Sequence, residues 1–172
     1  MTTMLLAGDL RRDEGLRLQA YPDPLSPLAK ACATARLALA DYAQVPGWQK
    51  LSGAPWTIGY GHTGPEVHPG LVIVAGQAEM MLAADIAKVK QGLSTRFPWW
   101  TTLDDVRQDA LVNMAFNLGV HGLEAFPDTM AALQAGKWDL AANDLEGDLW
   151  ARQVGARATR IVALIRTGKR LA

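Results

Sequence analysis

The chain is predicted to fold as α+β, with short strands confined to its first third and helices elsewhere. Three observations predict this. Leu16, Leu18 and Ala20 alternate with Arg17 and Gln19, which is the period of a half-buried strand, and Trp56 to Tyr60 supplies a second. From Leu103 onward the sequence reads as successive helices punctuated by Gly or Pro. No internal repeat or low-complexity tract points to an array instead.

Each element has a local reason. Thr2 or Thr3 can cap a first helix that runs to about Glu14, with Gly15 where helices commonly end in a left-handed residue. Ser26-Pro27 is a cap followed by a proline suited to a first helical turn. Leu28, Cys32, Ala35, Leu39 and Tyr42 follow at near-helical spacing, so the expected helix covers 27 to about 44 and stops before Pro46-Gly47. After the second strand, Gly64 to Gly70 reads as a loop. Met81, Leu82, Ile86 and Val89 then mark one stripe of a helix over 77–93. Further helices are expected at 103–118, 122–126, 128–135, 138–146 and 154–167. The expected organisation is a small first lobe over 1–76 with an insertion at 24–55, a bridging helix at 77–93, and an all-helical second lobe over 94–172. Motion of the lobes about that helix would open and close a cleft.

Composition narrows the function classes. A chain of 172 residues, 49% hydrophobic and 20% charged, can bury an ordinary core. No run reaches the ~18 apolar residues of a membrane span. Met1 to Ala7 is too short for a signal-peptide core, so the expected place of synthesis is the cytosol. Cys32 stands alone, which fits a reducing compartment, and no His/Cys spacing suggests a metal site, so no metal or cofactor is expected. The 17 basic and 17 acidic side chains cancel, which weakens any proposal of nucleic-acid binding through phosphate neutralisation. Attraction to an anionic surface would have to come from local patches that include Arg152, Arg157, Arg160 and Arg166.

The chemically informative residues are Glu14, Asp23 and Thr57. The two carboxylates lie nine positions apart, one at a helix end and one between Pro22 and Pro24, and Thr57 opens the segment Thr57-Ile58-Gly59-Tyr60-Gly61-His62. Hydrolysis of a sugar acetal needs one carboxylic acid to protonate the leaving oxygen and a second carboxylate on the opposite face to activate water or to attack. Taken singly these residues have plainer roles: a solvated helix end, a turn Asp and a strand Thr. Their joint spacing is what carries the signal.

This pattern resembles the phage-type lysozymes, the endolysin muramidases of glycoside hydrolase family 24. The resemblance continues through Val106-Arg107, Asn113 to Gly119, Phe126, Trp138-Asp139, Trp150, Arg157 and Ile165 to Gly168. It covers nearly the whole chain except 24–55, because compact members join the catalytic Asp to the Thr strand by a short turn, whereas residues 24–56 intervene here. The resemblance implies a lysozyme-like fold and cleavage of the β-1,4 bond between N-acetylmuramic acid and N-acetylglucosamine in bacterial peptidoglycan. Glu14 would be the acid, with Asp23 and Thr57 holding the water. Inversion is implied, for which the carboxyl groups stand ~6.5 to 9.5 Å apart.

The resemblance also assigns secondary roles. Phe116, Asn117 and Thr129 match substrate-contacting positions, Arg157 is expected near the acid, and Asp144 replaces an Asn. His62 is expected to pair with Asp85 and to matter for stability more than turnover. Most Trp residues are expected in packing. A monomer is implied, held in the host cytoplasm until a holin opens the membrane and lysis releases phage progeny. Two other readings are a lytic transglycosylase, against which both Asp23 and Thr57 argue, and a non-enzymatic wall-binding protein on the same scaffold, against which all three residues argue. The apolar stripe of the insertion has to be buried somewhere, which makes packing its expected role over a lid or a wall contact.

Overall fold

The computed structural model describes residues 2–170 and divides into two compact units, Leu10–Asp85 and a second made of Met1–Asp9 with Ile86–Ala172. The boundary falls inside two helices, α1 (Thr2–Glu14) and α3 (Ala75–Arg96). The expected cap at Thr2 or Thr3 rests on side chains outside the described residues. No helix among the described residues is long and apolar enough to cross a membrane.

The Leu10–Asp85 unit holds a three-stranded antiparallel sheet in the order β1 (Arg17–Pro22), β2 (Trp56–Gly59), β3 (His62–Thr63). Tyr21 pairs with Thr57 and Ile58 with His62, while the register slips between Arg17 and Tyr21. The alternation in β1 is only half realised. Ala20 is buried, but Leu16 and Leu18 keep 42% and 39% of their surface. The other edge of β1 meets residues 71–73, where Ala20 N donates to Leu71 O and Ile73 N to Leu18 O, both at 2.9 Å.

The insertion departs from the expected single helix. Helix α2 spans Pro27–Thr34, with Ser26 Oγ accepting from Ala29 N, and a separate 3-10 segment spans Leu39–Gln44. Between them Arg36 adopts φ +56°, Arg36 N donates to Ala33 O and Leu37 N to Cys32 O at 2.9 Å. That pair of bonds is a Schellman ending with arginine in the place usually taken by glycine. The turn redirects Tyr42 and Val45 onto Leu28 and Cys32, which with Trp48, Leu51 and Trp56 make a small core of their own. Tyr42 meets Trp48 and Trp56 edge-on, at centroid distances of 5.1 and 4.8 Å. The stripe is therefore buried through Leu28 and Cys32, whereas Ala35 stays exposed and Leu39 half-buried.

The second unit is helical. Helix α4 (Asp105–Leu118) is buried almost all round from Ala110 to Ala115, and α5 (Pro127–Gln134), α6 (Trp138–Gly147) and α8 (Ala156–Thr167) complete the bundle. Asp104 caps α4 by accepting from Val106 N and Arg107 N. Arg107 lies with its guanidinium 4.0 Å from the centroid of the Trp138 ring and donates to Ile165 O at 2.7 Å, closing the end of α8. A short helix that periodicity did not reveal, α7 (Leu149–Val154), is capped by Asp148.

Candidate active site

Glu14 is the last residue of α1. Gly15 N still donates to Arg11 O at 3.0 Å, and Gly15 at φ +70° turns the chain out of the helix and into β1. The half-buried Glu14 side chain reaches the turn that joins β2 to β3. A Cβ placed on Gly61 would stand 3.2 Å from Glu14 Oε2, and Gly61 itself sits at φ +82°. Glycine is needed there twice over, for the backbone and for the carboxylate resting against it.

Asp23 follows β1 directly. Its Oδ1 accepts from Leu25 N at 2.7 Å, an Asx turn, and its backbone N donates to Gly53 O at 2.9 Å and Pro55 O at 3.1 Å. Gly53 allows that closure, since a Cβ there would fall 2.7 Å from Trp56 Cζ2 and 2.9 Å from Pro22 Cβ. The two ends of the insertion are thereby drawn together around Asp23. Thr57, 9% exposed, stands opposite Tyr21 in the sheet.

Tyr21 links these groups, and the sequence alone gave no reason to single it out. Burial pushes its phenol up from the ordinary tyrosine range, Arg17 pulls it down, Glu14 and Asp23 push it up again, and a hydrogen bond with the Thr57 side chain favours ionisation slightly. The ring is therefore within electrostatic reach of both carboxylates, and Tyr21 stands opposite Thr57 in the sheet. Arg17, Gln19 and Tyr21 point to one side of β1, and with Glu14 they line a cleft of about 210 Å³ whose other wall is Ala38, Leu39 and Ala40 from the insertion. Asp23 and Thr57 are not among its lining residues; Thr57 pairs with Tyr21 across the sheet and Asp23 follows two residues after it.

His62, on β3, is held from two sides. Its Nδ1 lies 2.8 Å from Asp85 Oδ2 on α3 and its Nε2 lies 2.7 Å from Glu66 Oε1. Burial opposes protonation of the ring, but the hydrogen bonds and charges of Glu66 and Asp85 together raise its pKa above the ordinary histidine value. Near it, Tyr60 Oη donates to Glu79 Oε1 at 3.0 Å, and Arg11 pairs with the same carboxylate at 2.5 Å.

The remaining expected site residues belong to the second unit. Arg157 is buried, with Nε donating to Asn113 Oδ1 at 2.8 Å and a terminal nitrogen to Asn113 O at 3.0 Å. Asn117 Oδ1 accepts from Trp150 Nε1 at 2.9 Å, and Trp150 packs edge-on against Phe126. The hydroxyl of the buried Thr129 donates to the Asp144 carboxylate. Phe116 is half-buried on α4.

The phage lysozyme family model matches residues 11–167. The chain belongs to the phage lysozyme family. It is similar to the pre-baseplate central spike protein Gp5 of Enterobacteria phage T4, at 31% identity over 170 residues, covering 96% of this chain and 28% of the spike protein. A probable T4-type lysozyme 1 of Dictyostelium discoideum shares 25% over 100 residues, 56% of this chain and 59% of that protein. The endolysin of Bacillus phage B103 shares 36% over 89 residues, 52% of this chain and 33% of its own. The chain thus spans less than two thirds of the length of each of these relatives.

Proposed function

We propose that this member of the phage lysozyme family is a muramidase that hydrolyses the β-1,4 bond between N-acetylmuramic acid and N-acetylglucosamine in peptidoglycan. Glu14 protonates the glycosidic oxygen, and Asp23 with Thr57 holds and activates a water on the opposite face of an oxocarbenium-like transition state, with inversion at the anomeric carbon. The observation that carries this reading is geometric: Glu14 and Tyr21 line one cleft, Tyr21 pairs across the sheet with Thr57, and Asp23 follows two residues after Tyr21. Mass spectrometry of digested peptidoglycan tests the reaction type. Reducing muramic ends are expected, and 1,6-anhydro ends would instead make the protein a transglycosylase.

The enzyme acts as a monomer, waits in the host cytoplasm, and reaches the wall once a holin has opened the membrane, in the manner the endolysin relatives' name suggests. A second deployment of the same chemistry is favoured by one observation: the spike-protein alignment covers 96% of this chain, against 56% and 52% for the other two relatives. In that case hydrolysis serves penetration of the wall at infection. Phage carrying Glu14→Gln separate the two, because progeny trapped in unlysed cells support release and failed infection supports penetration.

A further inference from the structure

The insertion does more than bury its own apolar stripe. Residues Ala38, Leu39 and Ala40 face β1 across the cleft that begins at Glu14, and Gln19 Nε2 donates to Ala40 O at 3.5 Å, a long bond that ties the two walls. The strip is backed by the buried Tyr42, whose hydroxyl accepts from Gly70 N at 2.7 Å, so it presents a supported surface. It is small and apolar, suited to the face of a sugar ring or the methyl of an acetamido group. The opposite wall carries a cation. Among the described residues Arg17 forms no salt bridge, and its charge acts on Tyr21 inside the same cleft.

We propose that this cleft is a subsite for the acidic substituent of the muramoyl sugar, with Arg17 as the partner of its carboxylate and the insertion strip as the apolar wall that seats the sugar. This rests on the muramidase reading and sharpens it. A planar guanidinium pairs with a carboxylate through two parallel N–H donors, a geometry that lysine does not reproduce. The carboxylate has two sources, the lactyl group of a bare strand and the stem peptide of a substituted one. Arg17 thereby discriminates muramoyl glycans from neutral aminosugar polymers.

Binding measured by calorimetry on the otherwise intact Glu14→Gln protein separates this from turnover. The probes are glycan strands stripped of stem peptide, the same strands with the lactyl carboxyl reduced to the alcohol, and strands that keep the peptide. Adding Arg17→Gln should weaken binding about tenfold on at least one carboxylate-bearing strand and leave the reduced strand unchanged. Which carboxylate strand responds identifies the source, and Arg17→Lys should recover only part of the loss. Leu39→Trp, which fills the cleft from the insertion side, should weaken all three probes. Equal losses for Arg17→Gln on carboxylate and reduced strands, no loss on any strand, or unchanged binding by Leu39→Trp would overturn the proposal. Failure of the parent protein to release reducing ends from peptidoglycan would instead refute the muramidase reading, whatever the binding data show.

Discussion

Gly61 shows how tightly one residue can couple backbone and chemistry. It needs a positive φ, and the proposed acid lies against its Cα, so any side chain pays for a strained backbone and pushes on Glu14. Gly61→Ala is expected to destabilise the protein by about 1 to 2 kcal/mol in urea unfolding. It should also lower kcat by more than that loss of stability explains, because the carboxylate must move by a few tenths of an ångström. A variant with parental kcat would show that the Glu14 position tolerates displacement. Glu14, Asp23 and Thr57 stood out in the sequence by their joint spacing, which the proposed chemistry would constrain in residue type and position. Tyr21 and Arg17 did not, since a tyrosine and an arginine in a strand express β propensity and solvation in most proteins. Only the sheet register, which puts Tyr21 opposite Thr57, reveals their place.

At the scale of elements, helices were legible where burial and periodicity agree. The 77–93 stripe became α3 and the later stretches became α4, α5, α6 and α8, with ends shifted by a few residues. The insertion was misread because Leu28, Cys32, Ala35, Leu39 and Tyr42 keep helical spacing through a region without Gly or Pro. Burying Tyr42 against Cys32 and Trp56 won over one more turn of helix, and Arg36 bears the left-handed conformation. Arg36→Gly should therefore stabilise the protein by up to about 1 kcal/mol, seen as a higher urea midpoint at unchanged slope. A lower midpoint would contradict the Schellman assignment.

His62 ties β3 to α3, and its contribution carries a defined pH dependence. Its folded pKa is raised above the ordinary 6.5, so the stabilisation is fully present below 6.5 and is lost as pH climbs through the raised folded value. The difference in unfolding free energy between parent and His62→Gln should be largest near pH ~5.5 and shrink above pH ~6.5. A difference that grew with pH would mean that the ring is held neutral.

Across the whole molecule, the balance of 17 basic and 17 acidic side chains leaves no net charge to steer an anionic partner, so attraction of that kind rests on local groups. One partly buried arginine ties helices together. Arg170 bridges Asp9 Oδ2 at 2.5 Å and Asp109 Oδ2 at 2.6 Å, linking the segment after α8 to α1 and α4 within the second unit. Burial pushes the Asp109 carboxyl up while Arg170 pulls it back, so the arginine keeps a buried charge tolerable there. The α+β class was legible at this scale because strand and helix periodicities occupy different parts of the chain. The boundary between the two units falls inside the continuous helices α1 and α3.

The proposed reaction makes bond cleavage depend on the carboxyl group of Glu14. It is tested most directly by the initial rate of reducing-end release from purified peptidoglycan by parent and Glu14→Gln, compared at equal concentration of folded protein. A loss of at least about 10²-fold is expected for the variant, the scale of a removed general acid. A variant that released ends as fast as the parent would contradict it.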